Sequence, residues 1–296
     1  MVEKTSVSRA IFNVLNYTFL ILFSIICILP IWHVLMSSVS DPRELMANTG
    51  LILKPLGAVT HKGYQIVLSN SHILNGYRNT LIYVTVTTLL CVVMTSMAGY
   101  VLSRPRLKLK GILTIFIFFT MIFNGGLIPS YMVNIKLGIN NTVWAVLIPG
   151  VVNAFYIIIM KSAFEQLPES YEEAARIDGA GPITIMLRIL LPMVKATVAV
   201  IVMYSVIMQW NSWFQASIYL QKSRNLWPLQ LIMREILVQN DATKVMTGSD
   251  ALGKADLTRN LVKYCVTIVG TVPLLCIYPF VQKYFVKGVT LGGVKG

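Results

Sequence analysis

Glu165-Gln-Leu-Pro168-Glu-Ser170-Tyr-Glu172-Glu173-Ala174-Ala175-Arg176-Ile-Asp178-Gly179-Ala180-Gly181-Pro182 lies between two long apolar runs and carries the densest local punctuation in the chain. Ser170 followed three residues later by Glu173 reads as a capping box, which predicts a helix starting at Tyr171. Gly179 supplies a left-handed position to end that helix. Gly181-Pro182 then breaks and restarts the chain, with Pro182 suited to the first turn of a second helix. That helix runs through Ile185, Leu187 and Ile189 to Leu191-Pro192, where the next apolar run begins. Ala174 and Ala175 leave one face of the first helix nearly bare, which suits close docking of another protein. By physics alone, an ordinary interfacial helix between two spans fits the segment equally well.

Outward from this stretch the chain is apolar. Of its 296 residues, 55% are hydrophobic and 12% charged, about half the charge of a soluble domain. Crossing the hydrocarbon core takes about 20 apolar residues in a helix. Six stretches meet that length: 11–37, 79–103, 111–133, 140–160, 196–215 and 264–282. None contains Asp, Glu, Lys or Arg, as the penalty for charge in lipid demands. They are continuous runs without the alternation of barrel strands, so they read as helices. The first run is too long for the apolar core of a signal peptide and lacks a small-x-small cleavage site. It reads as a retained first span. The expected fold is all-α and polytopic, with six transmembrane helices.

Six spans put both termini on one side. The N-tail, 104–110, 161–195 and the C-tail hold 13 of the 25 Lys and Arg in about 66 residues, with Arg104, Arg106, Lys108 and Lys110 in one short loop. That bias places both termini in the cytoplasm. The net charge of +13 is therefore a topology signal. No basic stripe is interleaved with exposed aromatics, which argues against nucleic acid. On the other side, 216–260 contains an apolar-periodic stretch after Pro228, with Leu229, Ile232, Met233, Ile236 and Leu237 on one face. It reads as an amphipathic helix that lies on the membrane surface or grips a partner.

Glu173-Ala174-Ala175-x-x-x-Gly179, followed after nine residues by Ile189-x-Leu191-Pro192, resembles the EAA loop of permease subunits in bacterial ATP-binding-cassette importers. The extended run Glu173 to Ala180 is similar to the carbohydrate branch, the relatives of the second maltose permease subunit. Phe123-Asn-Gly-Gly-Leu-Ile-Pro129-Ser-Tyr131, Tyr278-Pro-Phe-Val-Gln-Lys-Tyr-Phe-Val-Lys-Gly288 and Val294-Lys-Gly296 resemble the complex-oligosaccharide subgroup named after the lipoprotein/polysaccharide permeases. Ala196 departs from the pattern, near where many relatives carry a proline.

The resemblance implies a type I importer permease fold and a single permease domain over 1–296, with a coupling loop at 165–192 and an extracellular loop at 216–260. It implies a multi-pass protein of the bacterial cytoplasmic membrane. The partners it implies are a homologous second permease, two ATPase subunits, an extracellular solute-binding lipoprotein and a carbohydrate substrate. ATP and Mg would sit in the partner ATPase, with no cofactor on this chain and no enzymatic activity of its own. Glu172, Glu173, Ala174, Ala175, Arg176, Asp178 and Gly179 would form the coupling helix, the two glutamates meeting polar or basic groups of the ATPase. Trp227, Arg234 and Glu235 would face the binding protein.

A carbohydrate path needs aromatic faces for sugar rings and amides or hydroxyls for their alcohols. Asn124, Tyr131, Asn153, Tyr156, Gln209, Trp210, Asn211 and Trp213 offer these groups without charge. The plainer readings are aromatic belts at span ends and amides bonded to a neighbouring helix.

Other signals fall away. Gly248-Ser-Asp-Ala-Leu-Gly253-Lys254-Ala255 nearly spells a phosphate-binding loop, but Ala255 lacks the hydroxyl that holds magnesium and no strand precedes it. The three histidines do not pair at metal-ligand spacing, and His33 in an apolar span reads as bonded to a neighbour. The four cysteines form no CxxC pair and read as packing residues. An ion-coupled secondary transporter would carry ionisable residues mid-membrane, and a receptor or scaffold would need no pore. An importer of a non-sugar solute stays open on the residues alone.

Overall fold

The computed structural model describes residues 7–238, 259–277 and 279, and all regular structure among them is helical. In chain order the helices are α1 (Val7–Ser38), α2 (Pro42–Ala47), α3 (Lys62–Ser69), α4 (Ser71–Ser103), α5 (Lys110–Ile122), α6 (Leu127–Lys136), α7 (Trp144–Val151), α8 (Ala154–Glu165), α9 (Ser170–Ile177), α10 (Pro182–Met193), α11 (Lys195–Trp210), α12 (Phe214–Tyr219), α13 (Leu229–Val238) and α14 (Arg259–Ile277). The C-terminal motif from Tyr278, the 248–255 loop and the end of the expected sixth span lie outside the described residues.

Among the described residues, four segments are long and apolar enough to cross a membrane: α1, α4, α7 with α8, and α14. Two of the expected spans are not straight helices. Over 111–133 the chain breaks between α5 and α6 and bends by 112°. Gly126 takes φ +92 there, and its N–H donates to Asn124 Oδ1 at 2.8 Å. This turn, rather than Pro129, ends α5. The span expected over 196–215 stops at Trp210, and its approach through α10 is bent by 87°. Over Ile185–Leu190 α10 winds as a π-helix, with the Leu191 N–H reaching Met186 O. Pro192 has no N–H to give, and wider turns carry the backbone up to it. Counting each bent pair as one span gives six.

By its internal contacts the chain divides into two compact units, 1–70 with 235–271 and 71–234 with 272–296. In the first, α1 is exposed over most of its length, Phe12, Phe19 and Ile26 included, the pattern of a helix meant for lipid or another membrane chain. Only its end is tied down. His33 Nδ1 accepts the Ile52 N–H at 3.0 Å and the ring meets Tyr264 edge-on, so this histidine is bonded to its neighbours. Buried Cys265 donates its thiol to Ser38 O at 3.3 Å.

In the second unit α4 packs against α7, α8 and α11. Small residues let backbones approach closely in such bundles, and Gly99 does so against α8. A Cβ there would stand 2.9 Å from Met160 Cβ and 3.0 Å from the Lys161 nitrogen. The segment before α13 is stitched to α4 by side chains. Asn79 Nδ2 donates to Asn225 O and Trp227 O, the Tyr83 hydroxyl to Leu226 O, and the Leu229 N–H to Thr80 Oγ1. The amphipathic helix expected after Pro228 is therefore present as α13. Leu229, Leu231, Ile232, Met233 and Ile236 are buried, so its apolar face is covered by this chain.

Replacing Gly99 by alanine forces Met160 and the α8 backbone apart. The expected loss is about 1–3 kcal/mol, read as earlier thermal unfolding of the detergent-purified protein; unchanged melting would contradict the close α4–α8 contact.

Candidate functional site

The coupling segment starts one residue earlier than expected, and without the capping box. Glu169 already has helical angles, φ −60 and ψ −25, and no side chain caps the helix. The Glu172 and Glu173 N–H groups both donate to Glu169 O. Helical geometry runs back from Ser170 into the turn after Pro168, so Ser170 is the first helical residue and cannot serve as its cap. The far end follows the expectation. Gly179 has φ +78; its N–H donates to Arg176 O and that of Ala180 to Ala175 O, the two bonds of a Schellman closure. Gly181 is extended and Pro182 opens α10.

α9 has two faces. Glu172, 6% exposed, and Ala175 turn inward, and Ala175 packs in a core with Tyr100, Phe164 and Met186. The Glu172 carboxylate accepts from Arg104 Nη1, from Arg176 Nη2 at 2.5 Å and from the Tyr100 hydroxyl at 3.4 Å. The Arg104 guanidinium also lies over the Tyr100 ring, 4.9 Å from its centroid. Burial pulls the Arg104 pKa below its ordinary value, and Tyr100, Glu169 and Glu165 pull it back up. Within this chain, Glu172 therefore bonds to Arg104, Arg176 and Tyr100. The other face is open: Glu173, Ala174 and Asp178 are exposed, with Tyr171 48% and Ile177 86% exposed. Gly179 is exposed and Arg176 partly so.

A cavity of about 410 Å³ opens where α4, α7, α8 and α11 meet. Five of the expected path residues line it: Asn153, Tyr156, Gln209, Asn211 and Trp213. Two of these amides also serve the backbone. Asn153 Oδ1 caps α8 by accepting from Phe155 N and Tyr156 N, and Asn211 Nδ2 donates to Ile207 O at the end of α11. Three expected residues lie elsewhere. Asn124 closes the turn after α5, Tyr131 stacks on Tyr219, and Trp210 is fully buried edge-on to Tyr77. The lining also contains Thr87, Gly150, Ser205, Ser212 and Gln215, which residue chemistry did not single out. Thr87 is one of several threonines in α4, and only the packing decides which of them faces a cavity.

Of the residues expected to face a binding protein, Trp227 is half-buried and donates from Nε1 to Leu220 O. The Arg234 guanidinium lies 3.7 Å above the Trp213 ring, which connects that position to the cavity wall. Glu235 is partly buried. Among the described residues no group of His, Cys, Asp or Glu is arranged to hold a metal.

The two-faced α9 with its glycine closure, the apolar spans and an uncharged cavity lined by amides, hydroxyls and apolar groups fit a membrane transport component. The profile of the family described as the binding-protein-dependent transport system inner membrane component matches residues 96–291. The chain is 34% identical over 294 residues to the polygalacturonan/rhamnogalacturonan transport system permease protein YtcP of Bacillus subtilis (strain 168), covering 97% of this chain and 99% of the other. It is 33% identical to protein LplC of the same organism, covering 97% and 95%. Among solved structures, it superposes with a TM-score of 0.85 on a chain of a bacterial ABC transporter involved in the import of the acidic polysaccharide alginate. The two are 28% identical, with 96% of this chain and 100% of that chain covered. The chain belongs to the binding-protein-dependent transport system inner membrane component family. It is a multi-pass membrane protein with the type I fold of ABC importer permeases.

Replacing Arg104 by methionine leaves buried Glu172 with one fewer cation. It should destabilise the α4–α9 junction by about 1–3 kcal/mol, seen as faster proteolysis after Arg176 in the purified protein. Exchanging the pair, Arg104→Glu with Glu172→Arg, should restore part of the loss; equal cleavage in all variants would exclude the pairing.

Proposed function

We propose that this chain forms one half of the membrane pore of an importer that brings an oligosaccharide into the cell, and that α9 is the helix on which a cytoplasmic ATPase subunit seats. The observation that carries the coupling role is the division of α9 into two faces. One is anchored to α4 through Glu172 and Arg104, and the other exposes Ala174 and Ile177 with Glu173 beside them. A short helix closed by a glycine and fixed to a long one passes on a rigid-body displacement better than a flexible loop does. Glu173, Ala174, Asp178 and Ile177 are then the docking surface, while Glu172, Ala175 and Arg176 hold it in place. Gly179 permits the turn into α10.

The carbohydrate reading is supported by what the relatives are named for: polygalacturonan and rhamnogalacturonan, arabinooligosaccharides, maltodextrin. The cavity suits it, since Tyr156 and Trp213 offer ring faces beside Asn153, Gln209 and Asn211. In this arrangement the chain is a single permease domain with six spans, two of them bent, and both termini in the cytoplasm. The 165–192 loop faces the ATPase and 216–260 faces outward, with Trp227, Arg234 and Glu235 toward an extracellular binding lipoprotein. A homologous second permease completes the pore. Two ATPase subunits supply ATP, Mg and hydrolysis, which drive alternation between inward-facing and outward-facing states.

Affinity purification from gently solubilised native membranes tests this. The expected co-purifying chains are a second permease and an ATPase subunit. Glu173→Lys combined with Ile177→Asp should deplete the ATPase at least tenfold while the permease partner remains. A chain that purifies alone and transports solute on an ion gradient would overturn the proposal.

A further inference from the structure

We infer that Thr87, Gln209 and the bare Cα of Gly150 form a subsite that binds an uncharged ring hydroxyl of the transported saccharide; the inference rests on reading the cavity as part of the substrate path. Thr87 is 1% exposed and Gln209 7%. Thr87 Oγ1 and Gln209 Nε2 are both buried without a hydrogen-bond partner, and both residues line the same cavity. Three polar side chains of the same lining are paired: Ser205 with Thr88, Asn153 and Asn211 with helix ends. A buried hydroxyl or amide left unpaired is destabilising, and two in one cavity, within a membrane bundle, mark a place kept for a ligand. Assigning the amide of Gln209 the other way round leaves an oxygen in the same position. The orphan therefore does not depend on which atom is called nitrogen.

Gly150 lets Thr87 and Gln209 approach α7 closely. A Cβ on it would stand 2.8 Å from Thr87 Cγ2 and 3.2 Å from Gln209 Oε1, so the two side chains converge on the one residue of α7 that contributes no side chain. The ligand class follows from the lining. It holds no Lys, Arg, His, Asp or Glu; Arg234 is engaged on the Trp213 ring, so an ionised carboxylate at Thr87 and Gln209 would find no cation in the lining. A hydroxyl both donates and accepts, as threonine and glutamine do, and Tyr156 and Trp213 line the same cavity. Neutral sugars and uronates both carry ring hydroxyls. The subsite thus reads the ring, while any carboxylate points elsewhere.

Two measurements test the subsite on the complete transporter, this chain with its co-purifying partners. First, Thr87→Val removes the orphan hydroxyl at nearly constant shape, so the substrate-free complex should melt at a higher temperature than the wild type. A lower or equal melting temperature means the hydroxyl is already paired. Second, oligosaccharide uptake is followed in proteoliposomes supplied with pectin, alginate and starch digests. Thr87→Val and Gln209→Leu should each raise the apparent KM about tenfold, one hydrogen bond's worth. Thr87→Ser, which keeps the hydroxyl, should raise KM less than Thr87→Val, and Gly150→Ala should lower uptake by forcing Thr87 and Gln209 out of place. Unchanged KM in both Thr87→Val and Gln209→Leu, with the wild type active, overturns the subsite and leaves the importer standing. No uptake of any digest by the wild type overturns the carbohydrate reading, and the subsite with it.

Discussion

A backbone amide inside hydrocarbon has no water to turn to, and every helix break in this chain must satisfy its own exposed groups. Asparagine side chains do much of this. Asn124 closes the turn between α5 and α6, Asn153 caps α8, Asn211 takes up a carbonyl at the end of α11, Asn79 holds two carbonyls ahead of α13, and Asn141 accepts the Lys222 N–H. A short amide with one donor end and one acceptor end can imitate either half of a peptide bond. The bent pairs and the non-helical segments of the second unit depend on that imitation.

α4 is the other organising element. Along one helix it holds the 225–229 backbone through Asn79, Thr80 and Tyr83, presents Thr87 to the cavity, admits α8 at Gly99, and ends at the Arg104–Glu172 pair. From Thr87 to Arg104 is about 25 Å at 1.5 Å per residue. The cavity wall and α9 are thus joined by one continuous helix and a buried ion pair. The ion pair's virtue is geometric. Its net contribution to stability is small once desolvation is counted, but its partners cannot separate without leaving a buried charge.

Much of this was legible in the residues. Charge exclusion marked the apolar runs because charge in lipid is penalised wherever it occurs. Gly179 marked the end of α9 because few other residues accept its backbone angles. The capping box was misleading. The Ser-x-x-Glu pattern states that a cap can form, whereas the geometry carried in from Pro168 and Glu169 decides whether it does. The amides were read by what they could offer a sugar, and the unmet backbone groups that three of them serve appear only once the helix breaks are located.

The amino-acid sequence by itself determined the helical class, the apolar segments, the close of α9 and the family, since these rest on local conformation and on solvent partitioning, which act residue by residue. Tertiary structure decided that Glu172 faces inward while Glu173 does not, that two expected spans bend, and that Thr87 rather than another threonine of α4 meets Gln209 across Gly150. Those outcomes depend on which side of a helix meets which neighbour. Residues far apart in the chain settle that together, through volume and hydrogen bonding that no single segment contains.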